Sequence, residues 1–170
     1  GECGVNGKRV GGGVRADFEH CEVALFVGKN PWQSHGFPRA RTTLKEIAND
    51  PSRAIIVIDP RRSETADLAA TGGGFHLQVK PGTDALVAVI VQEGLVHAEW
   101  VRAHAAGWEA VVGEFASLPV AEYAARCGVD ETLLRSAVRR LAAAESVAVF
   151  EDLGVQMNRH STMNSWLEKL

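Results

Sequence analysis

Short, almost wholly apolar runs alternate along the chain with segments of mixed polarity. Val23-Ala-Leu-Phe-Val27 ends at Gly28, and Ala54-Ile-Ile-Val-Ile58 ends at Asp59-Pro60. Runs this short, without polar alternation, predict strands buried on both faces, the kind found in parallel sheets. Phe75, Leu77 and Val79 alternate with His76 and Gln78 and predict a third strand, with Gly72, Gly73 and Gly74 before it as a flexible link. Val147-Ala-Val-Phe150 predicts a fourth. Between the first two strands, Leu44, Ile47 and Ala48 share one face of a helix over residues 39–50, which Pro51 stops. The stretch between the second and third strands reads as a loop. Pro81-Gly82 forms a turn, Thr83 or Asp84 caps a helix reaching Gln92, and Gly94 closes it. Trp100, Val101, His104, Trp108, Val111, Val112 and Phe115 fall on one helical face and are expected in the core, His104 among them. A short helix over residues 120–126 ends at Gly128. Asp130 caps another, with Leu134, Ala137, Val138 and Leu141 on its apolar face. Gly154 marks a loop, and a last helix starts near His160.

Strands alternating with helices in this way predict an α/β fold, a parallel sheet with helices on both faces. Residues 1–17 read as an irregular arm, and residues 18–170 as one domain. A chain of 170 residues with 46% hydrophobic and 23% charged residues is ordinary globular material, long enough to own a core. The formal net charge of −3 argues against a broad nucleic-acid surface. The longest apolar runs, such as Ala85 to Val91, fall far short of the roughly 18 residues of a membrane helix. No signal peptide is visible. Cys3, Cys21 and Cys127 are widely spaced and odd in number, which reads as reduced thiols in a cytoplasmic protein. Cys127, before Gly128, reads as packing.

In open α/β sheets ligands bind beyond the carboxyl ends of the strands. Residues 28–32, 59–65, 80–84 and 151–159 all meet that condition. All four segments are rich in Gly, Pro, Asn, Asp, Arg and Gln. A glycine turn at Gly28 admits close approach of a ligand to the backbone, and Asn30 offers both a donor and an acceptor. Asp59 is placed to accept hydrogen bonds from ribose hydroxyls, and Arg61 or Arg62 to hold a phosphate. A carboxylate at Asp84 matches the paired N–H donors of guanine, which adenine lacks. No G-x-G-x-x-G fingerprint is present. The six histidines form no metal-ligand spacing, Ser34 and Ser161 have no obvious base, and catalytic residues are not assignable. His160 follows the Gly154 loop, where it could face a ligand, although it is not assigned to the site.

These residues resemble a known family. Leu25-Phe-Val-Gly-Lys-Asn-Pro-Trp-Gln-Ser-His-Gly36 is similar to the first cofactor loop of molybdopterin oxidoreductases of the dimethyl-sulfoxide-reductase type, which include formate dehydrogenases and nitrate reductases. Ile56-Val-Ile-Asp-Pro-Arg-Arg-Ser-Glu-Thr-Ala66 resembles the second loop and Gln78-Val-Lys-Pro-Gly-Thr-Asp-Ala-Leu86 the third. Phe150-Glu-Asp-Leu-Gly-Val-Gln-Met-Asn-Arg-His160 resembles the fourth. The four motifs occur in order, each after a predicted strand, over residues 17–170.

The resemblance implies a Rossmann-like domain, partial within a larger enzyme, that binds molybdopterin guanine dinucleotide carrying molybdenum or tungsten. Gly28 and Asn30 would contact the pyrophosphate side, Asp59 and Arg61 the guanosine ribose and phosphate, and Gly82 and Asp84 the guanine. Gly154 and Gln156 would lie near the pterin end. The expected partners are the cofactor, the other domains of the parent enzyme and an electron-transfer partner. An iron–sulfur cluster would belong to an N-terminal part that this chain lacks. No metal ligand is matched here. Two other readings stay open. One is a non-catalytic electron-transfer subunit, like the large iron–sulfur subunit of respiratory complex I; Asn30, Asp59 and Asp84 argue against it. The other is a generic nucleotide-binding Rossmann module, against which the missing glycine fingerprint argues.

Overall fold

A computed structural model describes residues 4–5, 8–9, 16–80, 86–157 and 159–167. The domain is built on β1 (Val23–Val27), β2 (Ala54–Ile58), β3 (Phe75–Leu77) and β4 (Val147–Glu151), a four-stranded parallel sheet in the order β3-β2-β1-β4. Leu25 sits opposite Ile56 on one side and Val149 on the other. Ahead of the sheet, Gly4–Val5 pairs with Lys8–Arg9 in a separate antiparallel ladder.

The two central strands are apolar throughout because both faces are covered. Val23, Leu25, Ala54, Ile56 and Leu77 pack on one side against α4 (Leu86–Gln92), α7 (Val120–Cys127) and α8 (Glu131–Ala142). Ala24, Phe26, Ile55 and Val57 pack on the other against α2 (Ala40–Asn49) and α3 (Glu64–Thr71), with Phe18 and Phe37 stacked beside Phe26. Leu44 and Ile47 of α2 are fully buried, as their spacing predicts. The Asp130 carboxylate caps α8 by accepting from Leu133 N at 2.9 Å. Gly128, at φ 72°, closes α7.

Several expectations are corrected. The segment between β2 and β3 holds α3 rather than a loop, capped by Ser63, whose hydroxyl accepts from Ala66 N. Its buried residues are only Thr65, Ala66 and Ala69, so no large apolar side chains mark its period. Gly72 and Gly74 are packed rather than parts of a flexible link, with Gly73 open between them at φ 73°: an added Cβ at Gly72 would lie 2.6 Å from the Ala48 carbonyl oxygen, and one at Gly74 would run into that of Ile55. The third strand stops at Leu77, before Val79. The aromatic stripe is no core. It is divided between α5 (Ala98–His104) and α6 (Trp108–Ser117), neither of which has a buried residue; Trp100 is 57% exposed, and His104 is exposed with its ring 4.9 Å from that of Trp100. Periodicity identifies a shared face but not what covers it. Finally, short helices α1 (Pro31–Ser34) and α9 (Leu153–Gln156) replace the expected turn and loop, and α10 (Ser161–Leu167) follows. Among the described residues no helix is long and apolar enough to cross a membrane.

Candidate functional site

The strand order fixes where a ligand crevice forms. From β1 the chain moves one way to β2 and β3, then returns through α4 to α8 to place β4 on the other side of β1. The loops after β1 and β4 therefore diverge at a topological switch point, the usual ligand position in open parallel sheets.

These two loops meet directly. Gly28 has φ 61°, and a Cβ there would lie 3.0 Å from Val155 N and 3.1 Å from the Gly154 Cα. A Cβ on Gly154 would lie 2.7 Å from the Gly28 carbonyl oxygen. The close approach that Gly28 permits is thus to the backbone of the β4 loop, where the sequence suggested a ligand. Beside it, Lys29 is ion-paired with Asp152, and its ammonium lies 4.7 Å from the centroid of the Phe150 ring. Lys29 is only 7% exposed. The ammonium holds the Asp152 carboxyl below the usual carboxylate range.

Asn30 joins the first loop to α3. Its amide donates to Glu64 Oε2 at 2.9 Å, and its carbonyl oxygen accepts from Thr65 Oγ1 at 2.7 Å. Gln33 also donates to Glu64, at 2.7 Å. The backbone N–H of Glu64 itself, then the Asn30 amide, keep the Glu64 carboxyl below its ordinary range. Asp59, half-buried after β2, accepts from Arg61 N at 2.7 Å and so folds the turn it begins. Arg61 is exposed, and among the described residues its guanidinium makes no hydrogen bond or ion pair. Arg62 is instead paired with Asp67 at 2.7 Å.

The third loop runs beside the second. His76 Nε2 lies 3.0 Å from the Asp59 carbonyl oxygen, and Gln78 Nε2 donates to that of Pro60 at 3.0 Å. Lys80 N donates to the Cys127 carbonyl at 2.7 Å. Between these segments lies an open cavity of about 310 Å³ lined by Pro60, Gln78, Val79, Lys80, Cys127 and Gly128. Gly82 and Asp84 lie outside the described residues. Gly154 and Gln156 sit on α9, with Gln156 exposed, and His160 is exposed just before α10. Among the described residues no group of three or more His, Cys, Asp or Glu is placed to hold a metal ion.

Residue by residue, the structure brings Gly28 and Gly154 together, ties Asn30 to the second loop through α3, and places Asp59 and Arg61 in one turn. Lys29, Asp152, Thr65 and Glu64 are the residues that sequence reasoning passed over. The signal for the last two was Ser63 followed by Glu64 and Asp67, a helix start. Nothing local marks Lys29 as the partner of a carboxylate 123 residues away.

Over 150 residues the chain is 31% identical to the alpha subunit of F420-dependent formate dehydrogenase from Methanocaldococcus jannaschii, covering 85% of this chain and 21% of the relative. The match bears out the resemblance to the molybdopterin oxidoreductases. It is also 26% identical over 155 residues to the assimilatory nitrate reductase catalytic subunit of Bacillus subtilis, covering 86% of this chain and 20% of that one. Acetylene hydratase from Pelobacter acetylenicus has the same fold over 86% of this chain and 20% of its own, with a TM-score of 0.70 and 25% identity. The chain thus spans about one fifth of the length of these relatives. No protein-family model matches it.

Proposed function

We propose that this chain forms part of the cofactor-binding lobe of a larger molybdopterin-dependent oxidoreductase and holds the guanine-dinucleotide half of a molybdenum or tungsten cofactor. The observation that carries the reading is the convergence of four loops at the carboxyl ends of four parallel strands, two of them in backbone contact at the switch point. Gly28 and Asn30 would face the pyrophosphate side, with Asn30 acting through its backbone because its side chain is committed to Thr65 and Glu64. Asp59 would accept from the ribose hydroxyls through the carboxylate oxygen that Arg61 N does not occupy, and the Arg61 guanidinium would pair with a phosphate. Gly82 and Asp84 would read guanine, and the cavity between Pro60, Gln78 and Gly128 has the volume of a small-molecule site. Gly154 and Gln156 would stand toward the pterin.

The donor set fits such a group: among the described residues, an arginine whose guanidinium makes no hydrogen bond or ion pair, a carboxylate with one oxygen not engaged, and an open cavity between the second and third loops. When bound, the metal centre would supply two-electron redox chemistry in the parent enzyme, with formate or nitrate as candidate substrates. This chain's own residues bind and orient the cofactor. The other domains of the parent would complete the pocket and connect it to an electron partner.

Calorimetry with GDP and ADP tests the reading. GDP should bind and ADP should not, and Asp84→Ala should weaken GDP by at least about 1 kcal/mol, roughly fivefold. Equal binding of ADP would favour a generic nucleotide module instead.

A further inference from the structure

The three residues that follow β1 each hold a different neighbour. Gly28 lies against Gly154 and Val155, Lys29 is paired with Asp152, and Asn30 is bonded to Thr65 and Glu64. The first residue of these three makes a backbone contact, and the last holds its neighbours through a neutral amide. Lys29, between them, uses an ammonium, which water stabilises strongly, at a position only 7% exposed. Its partner Asp152 is 29% exposed, so the pair is partly buried; such a pair gains little over apolar packing of the same volume, but it favours the arrangement that brings its two ends together.

Asp152 is also the handle of the β4 loop. Its backbone N–H donates to the Val27 carbonyl at 3.3 Å, and its own carbonyl accepts from Val155 N at 2.9 Å and Gln156 N at 3.3 Å. Whatever fixes its carboxylate therefore fixes the start of α9, and with it Gly154 and Gln156. The Phe150 ring, 4.7 Å from the Lys29 ammonium, supports the pair from β4.

We infer that Lys29 and Asp152 are a positioning pair. They set the register between the loops after β1 and β4, so that a diphosphate laid across the crevice meets both loops already in place. The inference rests on the dinucleotide reading above. It assigns the pair no contact with the ligand.

The test is calorimetry on the full-length protein freed of cofactor, with GDP and guanosine as probes, comparing wild type, Asp152→Asn and Lys29→Met. Asp152→Asn keeps the shape of the side chain and removes a negative charge from the crevice. Charge alone would then make GDP bind more tightly, whereas loss of register makes it bind more weakly. The expected result is GDP weakened about tenfold in both variants, the low end of what losing a supporting residue behind a binding site costs. Guanosine, which has no diphosphate, should stay within about twofold. GDP binding to Asp152→Asn as tight as wild type, or tighter, overturns the inference and leaves the dinucleotide reading standing. So does parallel weakening of GDP and guanosine, which would mean general disruption. Should Lys29→Met not fold, the isosteric Asp152→Asn decides alone. A wild-type protein that binds neither probe removes the dinucleotide reading, and the inference with it.

Discussion

Gly154→Ala is expected to destabilise the domain although it adds one methyl to an exposed residue. The new Cβ would sit 2.7 Å from the Gly28 carbonyl oxygen and 2.9 Å from its Cα. Ordinary contacts of these kinds lie nearer 3.5 to 4 Å, so the two backbones would have to part by roughly 0.7 Å. Neither yields easily. Gly28 N is bonded to the Ile58 carbonyl at 2.9 Å, and the β4 loop is held by the Asp152 N–H to Val27. Overpacking of this sort costs about 1–3 kcal/mol. With a urea dependence of about 2–3 kcal/mol per molar, a 2 kcal/mol loss lowers the unfolding midpoint by roughly 0.7–1 M. Gly113→Ala supplies the opposite sign. It lies within α6 with no atom within 4 Å of an added Cβ, so alanine should stabilise by about 0.5–1 kcal/mol through helix propensity. Urea unfolding followed by circular dichroism reads both. A Gly154→Ala midpoint equal to or above wild type would refute the claim that the two loops are packed backbone to backbone.

Two further outcomes follow from packing and charge. Leu44→Ala, at a fully buried position, should cost about 3 kcal/mol, while Trp100→Ala, at an exposed position of α5, should stay within about 0.5 kcal/mol in this chain; a large loss at Trp100 in urea unfolding would mean that this position is covered. The Glu93 carboxyl, held below its usual range first by Arg139 and then by Arg135, stabilises the folded state above its unfolded pKa near 4.3. That contribution is lost as pH falls through the folded value, so the stability gap between wild type and Glu93→Gln should be full at pH 7 and close in stronger acid. A gap unchanged down to pH 2 would contradict the pairing.

The sheet was legible because its chemistry is local. Val23–Val27 and Ala54–Ile58 carry no polar residue, and only a strand covered on both faces accommodates that. The ligand edge followed, since loops after parallel strands must gather at one end. Helix α3 was hidden because alanine and threonine can face a core without producing a strong period. The stripe on α5 and α6 misled because amphipathicity is a property of one element, whereas burial depends on a second. The contacts that define the crevice were the least visible. Lys29 and Asp152, or Gly28 and Gly154, become neighbours only through the placement of β4 beside β1, and no spacing along the chain records that.

That placement also sets the timetable of assembly. β1 pairs on one side with β2, close in sequence, and on the other with β4, which begins 124 residues after Val23 at Val147. A nascent chain elongating at about 5–20 residues per second would hold one edge of its central strand open for roughly 6–25 s before the partner emerged. The contact order of that pairing is high, and such contacts form slowly because loop-closure entropy must be met first. The crevice between the β1 and β4 loops therefore cannot exist until β4 has been made and paired. A cofactor that needs both loops can be received only after that pairing.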